Sequence, residues 1–178
     1  MKKTNKLKYV IYSVIAIIGL SIDQIVKAWA YNKLRPVGSI PLIEDVFHFT
    51  YRENTGAAFS FLEGNNVFFI VLTFCVILML AWLLFSGRVM NRLAEYCVLF
   101  IAMGGLGNLI DRFNYKFVVD MFDFTLINFA VFNVADIYVT CGSILFIIIF
   151  LFTKGDVIDL ESRKKKEINE TLVNENEK

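Results

Sequence analysis

Four apolar stretches dominate this chain of 178 residues. They run from about Tyr9 to Tyr31, Val67 to Phe85, Leu93 to Phe113 and Phe129 to Phe152. Each approaches the ~20 residues that an α-helix needs to cross a hydrocarbon core. In lipid, a spanning backbone must satisfy its own polar groups, and stretches of this length do so as helices. Composition points the same way: 57% of residues are hydrophobic and only 20% charged. One small core could not hide that much apolar surface from water. The expected class is an integral membrane α-helical protein with four transmembrane helices. The first stretch continues into Asp23-Gln24 and Lys27 without a small-x-small cleavage pattern, so it reads as a retained helix rather than a signal peptide. A net charge of +1 gives no electrostatic case for a nucleic-acid partner.

The Lys/Arg bias predicts orientation. Lys2, Lys3, Lys6 and Lys8 precede the first stretch, Arg88 and Arg92 sit between the second and third, and Lys154 with Arg163-Lys164-Lys165-Lys166 follows the fourth. With four spans these three regions share one side, expected to be cytoplasmic, with both termini there. The connections 32–66 and 114–128 then face outward. Within the first of them, Phe47, Phe49 and Tyr51 alternate with polar residues, which is a strand pattern. A small extracytoplasmic β-sheet is therefore expected between helices 1 and 2, from about residue 40 to 62, with Ala57–Leu62 either adding a strand or lying on the membrane. Residues 1–155 read as a single membrane domain and 156–178 as a polar cytoplasmic tail.

The ionisable residues within apolar surroundings are the candidates for function, because such groups are costly at membrane depth. Asp23, Asp120 and Asp136 all map near the outer ends of their segments. Asp23 and Lys27 are spaced i, i+4 and share a helix face, either as an interfacial ion pair or as an orienting pair at a site. Gly104, Asn108, Asp111 and Arg112 form one stripe on the third helix. Asn133, Asp136, Thr140 and Ser143 form one on the fourth, where the two hydroxyls can bond back to their own helix. Two carboxyls that meet can share a proton and activate water. Asp120 has a rival in Asp123, three residues on, and periodicity does not choose between them.

Other chemistries lack their residues. There is no HExxH, and the single histidine, His48, is too few for a typical catalytic zinc. There is no GxSxG elbow. Cys75, Cys97 and Cys141 are odd in number, lie in apolar stretches and make no CxxC, so they read as packing residues. No metal or other cofactor is expected. Intramembrane Asp, Lys and Arg also build ion or proton pathways, so a polytopic transporter is the alternative class. Transporters usually show repeated halves and a midplane site, whereas these groups cluster at one end.

Five pieces occur in an order that resembles lipoprotein signal peptidase (signal peptidase II), a family of four-helix bacterial membrane aspartic peptidases. They are Asp23–Lys27, Asn54-Thr55-Gly56-Ala57-Ala58-Phe59-Ser60, Gly104–Arg112, Val118–Asp123 and Phe132–Asp136. The resemblance covers about residues 9–152. It implies that Asp120 (not Asp123) and Asp136 are the catalytic pair, and that Asp23, Lys27, Asn54, Gly56, Asn108, Asp111, Arg112 and Asn133 bind substrate or support the site. It further implies cleavage of diacylglyceryl-modified prolipoproteins before the lipidated cysteine, contact with membrane phospholipid, binding of the inhibitor globomycin and a location in the bacterial cytoplasmic membrane. A monomer is the simplest expectation, since both aspartates lie in one chain. Three departures stand out: a short gap between Asp120 and Asp136, Ile137 where Ser often follows the second aspartate, and Gly105 where Ala is commoner.

Overall fold

The computed structural model describes residues 3–56, 65–89, 91–153 and 157–158. Four helices are long and apolar enough to cross a membrane. Helix α1 is Lys3–Trp29, α2 is Asn66–Ser86, α3 is Arg92–Tyr115 and α4 is Val134–Phe152. A π-helical turn, Ala30–Leu34, continues α1. Helix α3 has the lowest hydropathy of the four and is the innermost. Half of its apolar window is buried, against 17% for α1 and α2. This follows from its sequence: the polar stripe and the glycines must face protein, which leaves the apolar helices to meet lipid.

Glycines set how closely α3 is approached. A Cβ on Gly104 would overlap the Ala135 carbonyl oxygen and Val139 of α4, and one on Gly107 would meet the Asp23 carboxylate of α1. Gly105 differs. Its nearest neighbours, on Ile77 and Thr73 of α2, lie 3.6 Å or more away, which is ordinary contact distance. The alanine that is commoner in the family the sequence resembles would fit there.

The sheet has three antiparallel strands in the order β1 (Ser39–Ile43), β2 (Phe47–Asn54), β3 (Val118–Asp123). Strand β2 lies where the alternation predicts, and β1 falls at the start of the region expected to form the sheet. The third comes from the connection between α3 and α4, because the free edge of β2 can pair with any extended segment that reaches it. The candidate strand at Ala57–Leu62 lies outside the described residues. Beneath the sheet, Ala30, Leu34, Val119 and Met121 form a buried cluster. Aromatic rings cover its other side: Phe47 and Phe124 lie 4.9 Å apart, and Phe122 and Phe132 5.5 Å apart.

Helix α4 begins at Val134, later than the expected position near Phe129. Phe132 instead pairs with Phe122 of β3, through Phe122 N–H donating to Phe132 O at 2.8 Å and Phe132 N–H donating back at 3.0 Å. Asn133 then caps the helix. The end of the bundle away from the sheet is closed by Tyr12, Leu80, Leu84, Val98 and Leu99. There the buried Glu95 accepts hydrogen bonds from Lys8 and from the Tyr12 hydroxyl. Val157 is buried beside Val89, Ala94, Cys97 and Ile149, so the chain just past α4 still packs on the bundle. The basic run Arg163–Lys166 lies outside the described residues.

The glycine contacts separate two neighbouring substitutions. Gly104→Ala should lower the thermal unfolding temperature in detergent, at a cost of about 1–3 kcal/mol from overpacking. Gly105→Ala should be neutral or raise stability by about 0.5–1 kcal/mol, since alanine is the better helix former.

Candidate active site

The polar residues gather at the sheet end of the bundle, each fixed by a different element. Asp23 and Lys27 face inward from α1, with the ammonium 3.0 Å from Asp23 Oδ2. Lys27 does not reach for head groups. It is 3% exposed, and it also lies 3.1 Å from Asp111 Oδ2 and donates to Asn108 Oδ1 at 2.8 Å. One cation thus joins α1 to two successive inward positions of the α3 stripe.

The remaining bonds of these carboxylates reach the other elements. Asp23 Oδ1 accepts from the Ala135 N–H in the first turn of α4 at 2.9 Å. Asp111 Oδ2 accepts from the Val119 N–H of β3 at 3.1 Å. Gln24 donates to Asp23, to Asp111 and to the Gly107 carbonyl at 3.1–3.3 Å. Sequence reasoning passed over Gln24. Its signal was an amide between two ionisable residues on an otherwise apolar helix.

Asp120 and Asp136 lie beyond this frame, joined by asparagines. Asn133 Nδ2 donates to Asp120 Oδ1 at 2.6 Å and to Asn108 Oδ1 at 3.2 Å. Asn133 Oδ1 accepts from the Asp136 N–H, and Asp136 Oδ2 accepts from the Asn133 N–H, which is a reciprocal capping box. Asn108 Nδ2 donates to Asp136 Oδ1 at 2.8 Å. Asn54 Nδ2 donates to Asp120 Oδ2 at 3.0 Å. Asp136 makes no ion pair with Arg112 or Lys27, and Lys27 pairs with Asp23 and Asp111 instead. Asp123 is elsewhere: half-buried, it accepts from the Thr50 hydroxyl at 2.8 Å.

A bulge puts Asn54 on the face of Asp120. His48 and Phe49 pair with Asp123 and Phe122, but Arg52, Glu53 and Asn54 pair with Asp120, Val119 and Val118. Strand β2 therefore carries one extra residue between Phe49 and Arg52. Without it, Asn54 would oppose residue 117 and point to the other face.

Gly56 belongs to the same end. Its N–H donates to Asn54 Oδ1 at 3.0 Å, and its carbonyl accepts from Arg112 at 2.8 Å. Beside these groups lies a cavity of about 500 Å³. Asn54, Asn108, Arg112, Asp136 and Thr140 supply its polar lining, while residues 129–132 and Ile137 supply an apolar wall. Asp136 faces the cavity, whereas Asp120 is 1% exposed. Among the described residues no group of three or more His, Cys, Asp or Glu is disposed to hold a metal ion.

Four carboxyl groups here face two cations, Lys27 and Arg112. Burial pushes the Asp120 carboxyl up to about 7, and the charge of Asp136 adds to this against the opposing hydrogen bonds from Asn54 and Asn133.

Four spans with a buried acidic pair at one end, one member of it facing a cavity, define the architecture of a membrane enzyme. Comparisons with known proteins narrow it. Residues 15–152 match the family described as signal peptidase (SPase) II. The lipoprotein signal peptidase of Clostridioides difficile is 41% identical over 143 residues, covering 80% of this chain and 95% of the relative. That of Microcystis aeruginosa is 42% identical over 136 residues, covering 76% and 88%. A bacterial membrane enzyme solved by the in meso method at 2.3 Å resolution superposes with a TM-score of 0.75 at 28% identity, covering 82% of this chain and 90% of that one. The chain belongs to the signal peptidase II family and is a membrane peptidase.

Two substitutions probe the electrostatics. Lys27→Met leaves Asp23 and Asp111 buried without their cation. It should cost about 3–5 kcal/mol, read as a large fall in unfolding temperature in detergent. For Asp120 the sign follows from its raised value. The folded protein holds a proton that the unfolded chain releases near pH 4, so stability is full below that and declines as pH rises through about 7. Asp120→Asn should remove that decline. At pH 8 to 9 it should unfold at a higher temperature than the unsubstituted protein, by up to about 4 kcal/mol of stability, and the gap should close near pH 4.

Proposed function

We propose that the chain removes signal peptides from diacylglyceryl-modified prolipoproteins, with Asp120 and Asp136 hydrolysing the peptide bond before the lipidated cysteine. The observation that carries this is Asn133. Its side chain bonds Asp120, and its backbone and side chain bond Asp136. One residue therefore holds two carboxyls from β3 and α4 beside a cavity large enough for a peptide segment. The named relatives are lipoprotein signal peptidases, which supports the substrate class.

The two carboxyls share one proton. The ionised partner takes a proton from a water held between them. The protonated partner donates a hydrogen bond to the scissile carbonyl oxygen, then transfers its proton to the leaving amine as the C–N bond breaks. The asparagine amides keep both carboxyls aimed at one place, and their burial favours the shared proton. Asn54 and Gly56 clamp the extended substrate segment. Arg112, which donates to the Gly56 carbonyl, holds that clamp against α3.

The Lys/Arg bias supports an orientation with both termini cytoplasmic and the sheet end outside. A signal-peptide helix then lies along the groove within the bilayer, its lipid chains remain among phospholipids, and the bond to be cut reaches the outer interface. Both catalytic groups belong to one chain, which supports a monomer. Globomycin is expected to occupy the same cavity. Transport is disfavoured, because the ionisable residues of the site gather at one end of the bundle, while the buried charge at the other, Glu95, is paired with Lys8 beside the apolar Leu80 and Leu84.

The test is cleavage of a lipidated prolipoprotein by the purified protein in detergent, followed by gel shift. Asp120→Asn and Asp136→Asn should each lose at least about a hundredfold in rate while remaining folded. Asp123→Asn should cut normally. Activity should fall as pH rises through about 7 and the shared proton is lost. Cleavage by Asp120→Asn with an inactive Asp123→Asn, or ion flux in vesicles without cleavage under any lipid condition, would overturn the reading.

A further inference from the structure

Thr140 lies on the cavity wall, four residues after Asp136 and on the same face of α4. A hydroxyl on a helix surrounded by lipid usually bonds back to its own backbone. Ser21 does so with Ile17 O at 2.7 Å, and Thr153 with Ile149 O at 2.8 Å. Thr140 does not, and its hydroxyl has no hydrogen-bond partner among the described residues; Ser13, Thr73 and Ser143 are alike in this, but of these four only Thr140 lines the cavity. The amides on the cavity are already engaged, Asn54 with Asp120 and Asn108 with Asp136, while Arg112 bonds Gly56 and keeps a buried Nε without a partner. Thr140 is exposed to the cavity and offers it an unused donor.

The partner's chemistry follows from depth. Helix α4 rises 1.5 Å per residue, so Thr140 sits about 6 Å along the helix from Asp136, away from the sheet. An extended peptide covers that distance in about two residues. A substrate helix that ends before the scissile bond leaves its last four carbonyls without intrahelical donors, and in an apolar groove those carbonyls need them. The ester carbonyls of the glyceryl-linked acyl chains are acceptors of the same kind. We propose that the Thr140 hydroxyl donates a hydrogen bond to a substrate carbonyl one helical turn below the carboxyl pair. Thr140 is thereby a binding residue that sets substrate affinity rather than the chemical step. The inference rests on the peptidase reading above and deepens it.

Thr140→Val keeps the shape and removes the donor, and Thr140→Ser keeps the donor. In steady-state cleavage of a diacylglyceryl prolipoprotein, Thr140→Val should raise KM about 3- to 10-fold, the worth of one hydrogen bond, with kcat within about twofold. Thr140→Ser should restore KM. A dialkyl ether-linked substrate separates the two acceptors. A Thr140→Val penalty that persists on it assigns the bond to a peptide carbonyl, and one that disappears assigns it to the ester. An unchanged KM for Thr140→Val, or a fall in kcat alone that Thr140→Ser shares, overturns the proposal. Absence of cleavage by the unsubstituted protein overturns the peptidase reading and this proposal with it. Normal cleavage by that protein, lost in Asp120→Asn, with an unchanged Thr140→Val KM overturns this proposal alone.

Discussion

The Lys27 ammonium is the charge on which the sheet end of the bundle depends. A buried ammonium is costly unless surrounded by acceptors, and Lys27 has three: Asp23, Asp111 and Asn108. Its bond to Asn108 does more than satisfy a donor. An amide that accepts at Oδ1 must direct its Nδ2 elsewhere, and here Nδ2 meets Asp136. The orientation of the amide at the cavity is therefore fixed by a cation behind it. Asn133 also donates to Asn108 Oδ1 and then to Asp120, so the polarity imposed by Lys27 reaches both carboxyls through two asparagines.

The same cation ties the sheet to the helices. Asp111 accepts from Lys27 and also from the Val119 N–H. That bond fixes where β3 leaves α3, and Asp120 is the next residue. On the far side, Phe132 pairs with Phe122, and Asn133 follows directly. Asp120 is thus bracketed by two backbone attachments, one to α3 and one to the segment entering α4. A carboxyl on a β-strand would otherwise be the less constrained member of the pair. Here its position is set as firmly as that of Asp136, which rides in the first turn of a helix.

The helices were legible in the sequence because their signal is local. Each apolar stretch carries its own evidence of spanning length, and each polar stripe its own face. The stripe of Gly104, Asn108, Asp111 and Arg112 was legible as one face, and the fold turns that face inward. The sheet was legible only in part. The alternation at Phe47, Phe49 and Tyr51 marked β2, but its pairing with a strand some seventy residues later is a non-local event that no local pattern reports. The one-residue bulge that turns Asn54 toward Asp120 is equally invisible, since it exists only as a relation between two strands. The start of α4 failed for a different reason. Hydropathy continues through Phe129–Phe132, but Asn133 followed three residues later by Asp136 is a cap, and the cap overrides the apolar run. The choice between Asp120 and Asp123 likewise needed more than periodicity. Resemblance named Asp120, and the fold gives the two residues different surroundings: Asp120 among amides in the interior, Asp123 beside the Thr50 hydroxyl.

These features share one cause. A membrane interior penalises every unpaired polar group, so a site built there must be closed upon itself before substrate arrives. Most of the site obeys that rule: each oxygen of Asp120 and of Asp136 accepts a bond, and each amide nitrogen of Asn54, Asn108 and Asn133 donates one. The exceptions then carry information. Arg112 has a buried Nε without a partner, and Thr140 has a free hydroxyl on the cavity. Both lie on the cavity rather than in the supporting frame. In water such groups would mean little, because solvent would satisfy them. In an apolar groove an unused donor is a cost borne by the empty protein, and that cost is recovered only when a ligand brings an acceptor.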